Sequence, residues 1–119
     1  MTQSEFGWRQ SILDLLREIA SEVPKSSMAD FLCEWFDDLY LPGFDASLYI
    51  PEAYARGLSN FASCFSPREL EAMQKFHSVF DGCTDSVPDD LHGIEFLKNT
   101  EWQKIRVAAL IALRDFEAR

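Results

Sequence analysis

Apolar side chains recur along this chain at intervals of three and four residues, the spacing that gathers them on one face of an α-helix. Ile12, Leu15, Leu16 and Ile19 make one such stripe, extended back to Trp8 and forward to Val23, where Pro24 stops it. Met28, Phe31, Leu32, Trp35, Phe36 and Leu39 make a second, behind an N-cap at Ser26 or Ser27. Leu41-Pro42-Gly43 ends that helix, because proline turns its predecessor away from helical dihedrals and glycine supplies a turn. The opposite face carries Asp30, Glu34, Asp37 and Asp38.

Pro51-Glu52 opens a third helix that reaches Leu58 or Phe61, with Gly57 as its weak point. Ser66-Pro67-Arg68-Glu69 is the clearest start in the chain: a serine cap, proline in the first turn, and glutamate placed to close a capping box. Leu70, Met73, Phe76 and Phe80 form its buried stripe and Gly82 closes it. The polar stretch from Thr84 to Asp90 leads to a short amphipathic segment around Leu91, Ile94, Phe96 and Leu97. Asn99 or Thr100 caps the last helix, with Gln103 placed for a box on Thr100. Trp102, Ile105, Ala109, Ala112, Leu113 and Phe116 line one side while Val107, Leu110 and Ile111 cover much of the rest, which predicts a central helix packed on several sides. Only Ala46 to Ile50 hints at the alternation of a strand.

The expected architecture is therefore all-α, one domain, an irregular bundle of five or six helices. A chain of 119 residues with 47% hydrophobic side chains fills one core rather than two, and its aromatics are spread too evenly for a disordered chain. Residues 1–7 lack the basic flank and apolar run of an export signal, and the apolar run from Val107 to Leu113 falls well short of the roughly 20 residues a membrane span needs. A cytoplasmic protein with no membrane association is expected. Cys33, Cys64 and Cys83 are odd in number and far apart, which suits reduced, structural thiols.

Net charge is −9 and it is regional. From Asp30 to Glu95 thirteen acids face only Arg56, Arg68 and Lys75, a net of −10, whereas residues 96–119 carry +2. Such a surface repels a phosphate backbone, which argues against direct nucleic-acid binding. It suits a basic protein partner, or simply solubility.

No catalytic constellation stands out. His77 and His92 lie in no metal-binding spacing, and His77 sits one residue from a buried stripe, the position of a packed structural residue. Cys64 with a histidine would be the one nucleophile pair to consider, and it has no motif. Asp81, Asp85, Asp89 and Asp90 lack the alternating ligands, central glycine and closing glutamate of a calcium loop and read as a solvated acidic loop. No cofactor and no metal is expected. Trp8, Trp35 and Trp102 lie on apolar stripes and belong to the core, whereas Tyr40, Phe44, Tyr49 and Tyr54 fall in the irregular acidic middle, where burial and exposure are equally open.

Three segments together resemble a known family. Phe65-Ser66-Pro67-Arg68-Glu69-Leu70, then Phe76-His77-Ser78-Val79-Phe80-Asp81, and Phe96-Leu97-Lys98-Asn99-Thr100-Glu101-Trp102 with Ala108-Ala109 are similar to bacterial contact-dependent growth inhibition immunity proteins. The likeness spans roughly residues 60–116. It implies a helical protein that binds the toxin domain delivered by a neighbouring cell and blocks its active site without turnover. Many such toxins are nucleases, basic because they grip phosphate, and an acidic inhibitor meets them by electrostatic steering. The resemblance transfers no individual contact residue. From charge and aromatic placement, the candidates are Asp37, Asp38, Tyr40, Asp45, Tyr49, Asp81, Asp85, Asp89 and Asp90. The alternative is a helical adaptor or regulatory subunit that binds a basic cellular protein.

Overall fold

The computed structural model describes residues 3–117, with side chains from residue 7 to residue 116. The expectation drawn from residues 1–7 therefore falls mostly outside the described side chains. Among the described residues there are six α-helices and no strand: α1 (Gln3–Ala20), α2 (Met28–Leu32), α3 (Pro51–Ser63), α4 (Pro67–Cys83), α5 (Glu95–Lys98) and α6 (Thr100–Glu117). None is long and apolar enough to cross a membrane.

Local chemistry sets most of the boundaries. Ser66 Oγ accepts from Glu69 N (3.1 Å) and Glu69 Oε1 accepts from Ser66 N (3.0 Å), so the box that starts α4 is complete. Ser27, rather than Ser26, caps α2 through the same reciprocal arrangement with Asp30. At α6 the cap is Asn99, whose Oδ1 accepts from Trp102 N (2.8 Å), while Gln103 Nε2 donates to Phe96 O (3.1 Å), so the box on Thr100 is replaced by a tie to α5. Where strand alternation was hinted, Ala46–Leu48 is a single 3-10 turn, because Asp45 caps it by accepting from Ser47 N (3.0 Å). α1 stops at Ala20, leaving Val23 exposed, and Ile94 and Leu97 also point outward, so Leu91 and Phe96 alone anchor their segment.

One core joins all of these elements. α4 packs along α6, and α6 also packs along α1. Phe31 stacks on Trp102 at 5.4 Å, Phe96 lies against Trp102 at 4.3 Å, and Phe76 meets Phe80 at 5.4 Å. α6 is packed on several sides, by α4, α1 and α5, with Trp102, Ile105, Ala109, Ala112 and Phe116 buried, while Val107, Leu110 and Ile111 are exposed.

The ion pair that crosses the bundle joins Arg9 of α1 to Glu69 of α4 at 2.6 Å. Glu69 is almost fully buried, and its hydrogen bond holds the guanidinium above its already high ordinary pKa. A single carboxylate thus caps one helix and ties down another.

Candidate functional site

The second apolar stripe does not stay α-helical. After Leu32 the chain widens into a π-helix over Cys33–Leu39, closed by Tyr40 N donating to Trp35 O (2.9 Å). Such wide turns are uncommon and concentrate at functional places. Here the widening lets two consecutive aromatics both find protein. Trp35 is fully buried, its Nε1 donating to His77 Nδ1 (3.1 Å), while Phe36 packs beside His77 and Phe80. The same turn leaves Glu34, Asp37 and Asp38 facing outward or half outward.

Two clefts flank this π segment. The first, about 300 Å³, lies against α1 and is lined by Ser11, Asp14, Leu15, Glu18, Glu34, Asp38 and Leu39. Burial pushes the Glu34 carboxyl above its usual range, and the charges of Glu18, Asp30 and Asp38 push it further in the same direction. A carboxyl raised by burial and by the acids around it is one that a positive neighbour would relieve. The second cleft, about 310 Å³, has an apolar floor of Leu32 and Phe36 and a rim of Asp81, Thr84, Asp85 and Asp89. Its rim is pinned: Asp89 O accepts from Ala29 N (2.8 Å) and Leu91 O accepts from Met28 N (2.9 Å), so the loop's carbonyls serve the N-terminus of α2, and Val87 is buried beneath. The stretch expected as a solvated loop is acidic and exposed at its side chains but fixed at its backbone.

Five ion pairs are seen among the described residues, and one of them, Arg17 with Asp14, falls on a residue that lines the first cleft. The ion pairs are Arg9 with Glu69, Arg17 with Asp14, Lys75 with Glu71, His92 with Glu95 and Lys104 with Glu101. None involves Asp37, Asp38, Asp81, Asp85, Asp89 or Asp90. No three His, Cys, Asp or Glu side chains among the described residues are grouped so as to hold a metal ion. A shallow acidic surface with an apolar floor suits the aliphatic stem and charged head of lysine or arginine.

The expected contact residues therefore divide. Asp38 lines the first cleft, and Asp81, Asp85 and Asp89 line the second. Asp37 is exposed on the π segment between them, and Asp90 is exposed next to the second. Glu18 and Glu34 belong to the face without having been singled out for it. Their signal was legible as Asp14 and Glu18, then Glu34 and Asp38, each pair four residues apart and so on one side of its helix.

Tyr40 is corrected from a candidate anchor to a core residue. It is 6% exposed, stacked on Trp35 at 4.7 Å and tilted against His77 at 4.8 Å. Burial raises its phenol pKa and lowers that of the His77 imidazole. Asp45 and Tyr49 belong to a separate place. There Phe44, Tyr49 and Tyr54 stack in series, at 6.2 Å and 5.5 Å, and Tyr54 Oη donates to Leu41 O (2.7 Å). Beside this ladder runs an open apolar groove of about 400 Å³, lined by Leu41, Leu48, Tyr49, Ile50, Tyr54 and Gly57 with Ala53.

His77 Nδ1 is the acceptor for Trp35, His92 Nδ1 lies 2.9 Å from Asp90 O, and Cys64 Sγ donates back to Asn60 O (3.3 Å). No family model, curated protein or solved structure matches the chain.

Proposed function

We propose that this chain is a binding protein whose acidic face around Cys33–Leu39 receives a basic protein, and that the partner is a bacterial toxin domain neutralised by stoichiometric occlusion of its active site. The observation that carries the first half is the pair of carboxylate-lined clefts on either side of one π segment, with Asp38 in the first and Asp81, Asp85 and Asp89 in the second, none of them in an ion pair among the described residues. A basic partner relieves the repulsion already felt at Glu34 and gains steering from the wider field. The toxin half is supported by the resemblance of residues 65–70, 76–81, 96–102 and 108–109 to immunity proteins, and by the fit between an acidic inhibitor and an enzyme that grips phosphate. The role is one of binding, without turnover or cofactor.

The test is co-expression in a bacterial host with any toxin domain encoded immediately upstream of this chain's gene. Survival of the doubly expressing cells, with an equimolar complex on purification, is the expected result. Death of those cells, or recovery of the chain with a basic host protein instead, would replace the toxin reading with that of an adaptor.

A further inference from the structure

Two ionisable side chains, His77 and Tyr40, lie in the aromatic packing against the π segment. Burial raises the pKa of the Tyr40 phenol, so that group stays neutral at pH 7 and below. His77 is the one whose charge can change in the physiological range. Its ring lies 4.8 Å from that of Tyr40, 5.4 Å from Phe36 and 6.4 Å from Trp35, and a Cβ on Gly43 would come within 2.9 Å of its Cε1. The π segment and the turn that follows it thus close around a ring carried by α4.

The bond that ties the segment to this ring has a fixed direction. An indole N–H can only donate, so His77 Nδ1 must accept from Trp35 Nε1 at 3.1 Å, and the hydrogen of the neutral ring sits on Nε2. A second proton, taken from solvent, would enter at Nδ1. That is the position the indole N–H occupies, and an imidazolium, a donor at both nitrogens, would set two donors against each other. Trp35 is fully buried, and a buried donor left unmet costs more than its bond contributes. Burial holds the imidazole pKa below its ordinary value, while Asp81, four residues on along α4, pulls the other way. From the π segment and its following turn the ring meets Trp35, Phe36, Tyr40 and Gly43, none of them charged near pH 7, and Glu34, Asp37 and Asp38 face outward or half outward.

We propose that His77 is a proton-sensitive latch for the π segment: neutral, it holds Trp35 and keeps Cys33–Leu39 in its wide turn, and protonated at Nδ1 it releases the indole and the segment with it. The segment carries Glu34, Asp37 and Asp38, so the acidic face is assembled at neutral pH and loosened in acid. The latch belongs to the free chain. Only its effect on binding rests on the basic-partner reading above.

The ¹⁵N-labelled full chain is followed by NMR from about pH 7.5 to about pH 5, reading the ring nitrogens of His77, the indole N–H of Trp35 and the amides of Cys33–Tyr40. His77 is expected to take up its proton below the pH of about 6.5 usual for imidazole, with the indole signal and the segment's amides shifting at the same midpoint. In His77→Asn, whose amide oxygen can stand in for Nδ1 without titrating, those signals should hold still. In Trp35→Phe, which removes the N–H, His77 should titrate at a higher pH than in the natural chain. Indole and amide signals that ignore the His77 midpoint overturn the latch. Shifts that persist in His77→Asn overturn it too, since they would come from Glu34 and the acids around it. A transition shared with the amides of α6 is global unfolding and likewise overturns it. Each of these outcomes leaves the acidic face standing as a binding surface, whereas a working latch with no complex at neutral pH contradicts that face alone.

Discussion

Trp102 concentrates the core's demands on one residue. It is fully buried between Phe31 and Phe96, and its Nε1 finds no hydrogen-bond partner among the described residues. Trp102→Ala is expected to lower unfolding free energy by about 3 to 5 kcal/mol. Trp102→Phe keeps most of the ring contacts and removes the unpaired N–H, so it should cost well under half as much in denaturant melts. Equal losses would mean that the indole nitrogen has a partner worth keeping. Glu69 is the polar counterpart: Glu69→Ala removes a cap and the bond to Arg9 together and should cost about 2 to 3 kcal/mol. His77 gives a pH signature. Burial lowers its folded-state pKa, so below the unfolded value the unfolded chain takes up the proton first. Its contribution is therefore complete above about pH 6.5 and is lost as pH falls through the folded pKa. Melts between pH 7.5 and pH 5.5 should show that loss in the natural chain and a flatter profile in His77→Gln, a comparison in which exposed His92 cancels. Parallel profiles would contradict a buried neutral imidazole that accepts from Trp35.

At the scale of elements, what the sequence made legible followed from periodicity and caps. The start of α4 could be read residue by residue, because Ser66, Pro67 and Glu69 act within one turn. The stripes of α1 and α4 and the face of α6 containing Trp102 are buried as their spacing implies. The π widening after Leu32 was not legible, since it answers the need to bury Trp35 and Phe36 together against α4, a contact across more than forty residues. The outer face of α6 was less legible for a related reason: an apolar helix face reports a tendency to be covered, and no described element covers Val107, Leu110 and Ile111. Half of the candidate site was legible as acidic residues in the right segments, but the clefts were not, because Glu18 meets Glu34 and Leu32 meets Asp89 only in the fold. Two glycines test the packing between elements. A Cβ at Gly43 would lie 2.9 Å from His77 and 3.0 Å from Tyr40, so Gly43→Ala should destabilise by about 1 to 3 kcal/mol. At Gly82, inside α4, a Cβ meets nothing within 4 Å, so Gly82→Ala should stabilise by about 0.5 to 1 kcal/mol. Thermal melts of the two variants should therefore move in opposite directions.

Over the whole molecule, the acidic excess is organised by the fold rather than spread evenly. Arg9, Arg17, Lys75 and Lys104 are paired along their own helices or in the Arg9–Glu69 bridge, while no ion pair among the described residues involves Asp37, Asp38, Asp81, Asp85, Asp89 or Asp90. Solvated charges of this kind contribute little to stability, so replacing Asp37, Asp38, Asp85 and Asp89 by asparagine should leave the melting curve nearly unchanged. On the proposed function their effect is on association. The most direct test is stopped-flow association of the purified chain with the basic partner proposed for it, at low salt and at physiological salt, where the Debye length is about 8 Å. The rate should fall on the order of tenfold or more with added salt, and the four-asparagine variant should associate slowly even at low salt. A rate insensitive both to salt and to these substitutions would contradict the acidic face as the surface that finds the partner.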